Sequence, residues 1–202
     1  MTERNVFYER LSWPQVREAA RAAKVIIIPF ASIEQHGPHL PVDVDLRLAR
    51  EVCERAARRN PNCLVMTPMA FGFEPHHMAW PGTIDVDWDV LIRYGVCVVS
   101  SLVRHGFRRI LIINGHGGNA GIIDVLASTL GHRHYGAARI AALTYFQLAR
   151  QAIAELRRSE PGGMGHACEF ETAMVQHLRP DLVRIEKAEA TYPDPGSAYL
   201  TT

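Results

Sequence analysis

Apolar positions along this chain switch repeatedly between two periods. From Trp13 to Ala22 the run WPQVREAARA places them at helical spacing, and the KVIIIPF that follows is a short β-branched stretch of the kind buried on both faces of a parallel sheet, ending near Phe30. Leu48, Val52 and Ala56 then recur at helical spacing over about Leu46 to Arg59. Asn60-Pro61-Asn62 signals a turn, and CLVMTPM gives a second strand. A helix from about Trp88 to His105, the strand RRILIIN, the helix NAGIIDVLASTLGH, a fourth strand ARIAALTYF and the helix AIAELRR continue the alternation. Strands alternating with helices predict one α/β domain, its mainly parallel sheet covered by helices on both faces.

In such sheets the ligand site lies beyond the carboxyl ends of the strands, and the polar clusters of this chain fall there. SIEQHGPHLPVDVD follows the first strand, EPHHMAWPGT the second and GHGGN the third. The aperiodic GFEPHHMAWPGTIDVD, rich in Gly, Pro and His, reads as a loop forming a pocket wall. The first cluster offers Glu34, His36, His39, Asp43 and Asp45 on a backbone made irregular by Gly37, Pro38 and Pro41. Mixed imidazole and carboxylate donors of this kind suit zinc, manganese or iron. Asp45 also precedes the helix starting near Leu46, where an N-cap Asp is common, and spacing does not choose between Asp43 and Asp45.

His116 stands among glycines that let the backbone approach a ligand closely, and its segment lacks both G-x-G-x-x-G spacing and a Walker lysine. In GGMGHACEFETA, His166 and Glu169 are three apart and share a face if both lie on the helix that runs through Met174 to Leu178. Glu169 and Glu171 also complement the dipole of that helix.

Composition narrows the function classes. The 202 residues are 48% hydrophobic and 21% charged, enough for one continuous core, and a net charge of +1 with scattered Lys and Arg offers no field for nucleic acid or a membrane surface. The longest apolar runs are far too short to span a bilayer, and MTERNVFYER lacks the apolar core of a secretory signal, so a cytoplasmic protein is expected. Cys53, Cys63, Cys97 and Cys168 form no C-x-x-C pair and read as reduced thiols.

Four blocks in order resemble the creatininase family of amidohydrolases: Ser32 to Asp45 as S-x-E-Q-H-G-P-H-L-P-x-x-x-D, His77 to Thr83 as H-x-x-W-P-G-T, Asn114 to Asn119, and His166 to Thr172 as H-x-x-E-x-E-T. The resemblance implies a metal-dependent hydrolase with two divalent ions (zinc, manganese or iron) at the strand ends. One ion would take Glu34, Asp45 and His116, and the other His36, Asp45 and a further carboxylate, with Asp45 bridging. Creatinine-hydrolysing members carry a glutamate where this chain has Gly118, and Glu169 is expected to supply the missing carboxylate. Water activated at the ions would attack the carbonyl of a small, cyclic amide. His166 would hand a proton to the leaving nitrogen, Glu171 would orient His166, and His77 and Trp80 would line the substrate wall.

The family also includes members acting on formamides, on a modified peptide and on cyclic sugar ketones, and its members commonly form hexamers, so a homo-oligomer is expected. The competing readings are a hydrolase opening a C–C bond in a cyclic ketone such as an inosose, and a non-catalytic metal or small-molecule binding protein. The Pro- and Gly-containing end YPDPGSAYLTT suggests a short or truncated C-terminus.

Overall fold

A computed structural model describes residues 4–160 and 162–190. Ser12 opens α1 (Trp13–Arg21) with a capping box in which its backbone N–H donates to the Gln15 side chain at 2.8 Å, and Pro14 sits in the first turn, where a missing N–H is harmless. Four strands, β1 (Val25–Phe30), β2 (Cys63–Val65), β3 (Arg109–Asn114) and β4 (Arg139–Thr144), form one all-parallel sheet in the order β2-β1-β3-β4. Phe30 pairs with Asn114 and Asn114 with Thr144. Three carboxyl ends therefore finish level and present their following loops to a common space.

Alternation along the strands sorts side chains to two cores. Ile26, Ile28, Phe30, Ile110 and Ile112 pack against α3 (Trp88–Arg104) and α4 (Ala120–Arg133) through Val99, Leu102, Ile123 and Leu126. Ile27 and Ile113 face the other way, onto Leu48 of α2 (Val44–Arg59) and Val175 of α7 (Glu169–Leu178). Helices cover both faces, as the periodicity predicts, and each fully buried aliphatic or Phe side chain contributes about 1.5–3 kcal/mol.

Three elements differ from the sequence reading. The ladder of β2 stops at Val65, because Pro68 has no N–H to donate. Pairing resumes as a single bridge in which the Met69 N–H donates to the Pro29 carbonyl at 2.9 Å. Helix α2 starts at Val44, so its N-cap is Asp43, whose carboxylate pairs with Arg47, and Asp45 lies inside the first turn instead of capping it. Helix α7 starts at Glu169, which leaves His166 on the preceding loop and removes the shared helix face expected for the two. After β4 the chain turns into α5 (Tyr145–Leu148) and α6 (Arg150–Leu156). The end segment read as short or truncated lies outside the described residues, and among those residues no helix is long and apolar enough to cross a membrane.

Candidate metal centre

Beyond Phe30 the chain runs without regular structure to Asp43, and its alternate polar side chains turn inward: Ser32, Glu34 and His36 are all at most 1% exposed. The first turn of α2 brings Asp45 beneath them, and the end of β3 brings His116. Gly115 permits that approach, since a Cβ there would stand 2.8 Å from Ala49 Cβ and 3.0 Å from the Asp45 carbonyl oxygen.

The two oxygens of Asp45 face different imidazoles. Oδ2 lies 2.9 Å from His116 Nδ1 and accepts the Ser32 hydroxyl at 2.6 Å, while Oδ1 lies 3.3 Å from His36 Nε2. Glu34 Oε1 is 2.8 Å from the same His116 Nδ1, and Glu171 Oε1 is 3.7 Å from His36 Nε2. Two donor groups result, Glu34–Asp45–His116 and His36–Asp45–Glu171, each compact enough for one ion.

Electrostatics mark the same place. Burial works against the protonated His116, yet contacts with Asp45, Glu34 and Glu74 outweigh it and push the imidazole up to about 12. His36 is likewise raised, burial being overcome by Asp45 and Glu171. Burial raises Glu34 to about 7 against the pull of His116, whereas in Asp45 the two imidazoles overcome burial and lower the pKa. Buried carboxylates holding protons on imidazoles form a strongly negative locus, which a divalent cation can occupy in place of those protons.

Hydrogen bonding supports occupancy by a cation. His36 Nδ1–H donates to the Glu34 carbonyl at 3.2 Å, which turns Nε2 toward the cluster. That nitrogen is buried and makes no hydrogen bond, although the Asp45 and Glu171 carboxylates flank it. Donors that converge without hydrogen-bonding one another suit an ion that displaces the imidazole proton, so these residues fit the divalent metals that the sequence resemblance implies.

His166 lies over this group, its ring 4.4 Å from His36 and 4.2 Å from His77 between centroids. Its Nε2–H donates to the Gln35 carbonyl at 2.6 Å, leaving Nδ1 3.9 Å from Glu34 Oε1. Burial and the neighbouring His36 and His77 lower it to about 3, so it is neutral near pH 7. Ala167 takes a left-handed φ of 50°, a conformation that turns the chain back from His166 into the cap of α7.

Two sequence expectations are corrected. The Glu169 carboxylate points away from the cluster and accepts backbone N–H groups of Arg158 at 2.9 Å and Ser159 at 2.7 Å; Glu171 occupies the place expected for it. Glu171 faces His36, and its other oxygen accepts the Cys168 N–H at 3.0 Å, so its polar contacts go to those groups and not to His166. His77, expected as substrate wall, borders the cavity and also reaches into the cluster, where Nδ1 contacts Glu34 Oε2. Trp80 does lie at the rim, 53% exposed, on a cavity of about 1040 Å³ that Phe146, Arg150, His166 and Phe170 also line. Glu74 was missed. It is fully buried and 2.7 Å from His116 Nε2, and its signal in sequence was a carboxylate entering the His-rich loop.

Gly118 accounts for the carboxylate absent from this loop. A Cβ there would fall 2.3 Å from His116 Nε2 and 2.7 Å from the Phe73 carbonyl oxygen, so no side chain fits while His116 holds this position.

Comparison with known proteins points the same way. A family model described as creatininase, creatinine amidohydrolase, matches residues 9–201. The 3-dehydro-scyllo-inosose hydrolase of Thermotoga maritima is 30% identical over 93% of this chain and 61% of its own length, so this chain spans about three fifths of that relative. The creatinine amidohydrolase of Pseudomonas putida is 28% identical over 94% of this chain and 80% of its own. A solved creatinine amidohydrolase superposes with TM-score 0.83 at 28% identity, a manganese creatininase with 0.82 at 28%, and a Zn–Zn form of a creatininase variant with 0.78 at 27%. All three superpositions cover 97% of this chain and 82% of the other.

Proposed function

The chain belongs to the creatininase family, and from that premise we propose that it is a metal-dependent hydrolase with a dinuclear centre, acting on the carbonyl of a small, cyclic amide. The observation that carries the reading is the divided carboxylate of Asp45, with one oxygen toward His36 and the other toward His116. Glu34, Asp45 and His116 would hold one ion and His36, Asp45 and Glu171 the other. When bound, the ions supply Lewis-acid polarisation of the carbonyl and an acidified water.

The chain's own groups handle protons and position. His166, neutral and fixed through Nε2–H to Gln35, presents Nδ1 to accept the proton that water loses as it adds to the carbonyl carbon. The same nitrogen then returns that proton to the amide nitrogen as the C–N bond breaks. Gln35 is therefore a positioning residue. Trp80 and Phe146 offer flat apolar surfaces to a ring-shaped substrate, and Arg150 adds a cation to the same wall. A second reading, cleavage of a C–C bond in a cyclic ketone, is favoured by the 30% identity to the inosose hydrolase and uses the same attack on a carbonyl. We place the protein in the cytoplasm as a homo-oligomer; exposed Trp88, Val90 and Tyr94 on α3 support self-association.

The test is turnover of a panel of cyclic amides and cyclic ketones by the zinc- and manganese-loaded protein beside His166→Ala. Turnover lost in the variant with its metal content intact is expected, and the panel member consumed decides between the two readings. A loaded protein inert across the panel supports a binding protein instead.

A further inference from the structure

Glu74 is fully buried; its Oε1 lies 2.7 Å from His116 Nε2, whereas its Oε2 has no hydrogen-bond partner. The His116 imidazole meets one oxygen, and the other, buried without a partner, calls for a further cationic or donor group. Its backbone is held firmly: the Glu74 N–H donates to the Asp85 carboxylate at 2.6 Å, and the Phe73 N–H to Asn119 Oδ1 at 3.1 Å. Around the carboxylate stand imidazoles. Oε2 is 3.9 Å from His77 Nδ1 and 4.0 Å from His76 Nε2, and His77 Nδ1 in turn contacts Glu34 Oε2.

One ligand atom each from Glu34, Glu74, His76 and His77 lies within 4.8 Å of all the others. Four donors on zinc, with bonds of about 2.1 Å, stand about 3.4 Å apart, so shifts of about 0.5–1 Å in each side chain close the shell. Glu34 can serve two neighbours at once, because Oε1 faces His116 while Oε2 faces His77. His76 is one-third exposed, and both His76 and His77 border the cavity, which gives an ion its entry path.

We propose that Glu34, Glu74, His76 and His77 form a third divalent-cation site, of zinc-type imidazole–carboxylate chemistry, joined to the dinuclear centre through the Glu34 carboxylate. The inference rests on the dinuclear reading for its neighbour and not for its own donors, since Glu74 and His76 belong to neither of the other two groups. It also accounts for the unpartnered Glu74 Oε2. The near approach of Oε1 to His116 Nε2 ties this third site to the first ion's histidine.

The test is zinc stoichiometry by inductively coupled plasma mass spectrometry on full-length protein saturated with zinc and passed through gel filtration, beside His76→Ala, Glu74→Gln and Asp45→Asn. Three ions per chain in wild type, falling to two in both His76→Ala and Glu74→Gln, is the expected result. Two ions in wild type, unchanged in His76→Ala but lost in Asp45→Asn, overturns the third site and leaves the dinuclear centre standing; three ions retained by His76→Ala overturns it equally. No bound zinc in wild type brings down both readings. Circular dichroism of each variant in chelator verifies the fold, and His76, being partly exposed, supplies the variant least able to disturb it.

Discussion

Replacement of Glu171 by Gln should remove one metal ion from the centre, and replacement of Glu169 should remove none. Glu171 Oε1 is one of three donors around the His36 position, while its Oε2 accepts the Cys168 N–H in a capping box. Glutamine can serve as that acceptor through its amide oxygen, so the cap survives while the NH2 group left facing His36 cannot ligate a metal. Loss of an outer-shell partner typically costs about 10–100-fold in metal affinity, and loss of a direct ligand should exceed about 100-fold, or roughly 2.7 kcal/mol. Competition against a chromophoric zinc chelator reads the difference directly. Wild type and Glu169→Gln should release zinc at the same chelator concentration, whereas Glu171→Gln should give up one ion at a concentration at least about 100-fold lower. Melting temperatures in excess chelator should agree between wild type and Glu171→Gln. An ion lost from Glu169→Gln and kept by Glu171→Gln would refute the placement of the ligand and the helix register behind it.

Other perturbations probe the same geometry. Gly118→Ala forces a Cβ against the His116 ring and the Phe73 carbonyl, and overpacking of this kind costs about 1–3 kcal/mol; scanning calorimetry should show Tm falling by roughly 2–4 °C per kcal/mol, with weakened zinc binding. Zinc affinity should rise with pH between about 6 and 9, because His36 and His116 are held protonated by their carboxylates and Glu34 titrates near 7, so binding must expel protons. Calorimetric titration in buffers of different ionisation enthalpy should detect proton release, and uptake or neutrality would contradict the assignment.

What the sequence disclosed and what it hid follow from one physical distinction. Strands buried on both faces must be apolar throughout, and helices packed on one side must repeat every three to four residues, so β1, β3 and the helices were legible. Donors on the loop after β1 were legible too, because Gly37, Pro38 and Pro41 exclude regular structure and five polar groups remain beside a buried strand. The choice between Glu169 and Glu171 was different in kind. Successive helical residues are turned by about 100°, so two residues separated by one position point about 200° apart and only one of them can face His36. Which one depends on where α7 begins. That start is set by Cys168 as N-cap after the left-handed Ala167, a backbone conformation with no trace in residue type, since alanine ordinarily avoids it. Glu74 was hidden for the converse reason: a loop without period gives no face on which to place a side chain, and its carboxylate is aimed inward by backbone anchors, Phe73 to the distant Asn119 and Glu74 to Asp85 further along the same loop. Local pattern fixes which residues are available to the centre, and helix starts and loop anchors decide which of them reach it.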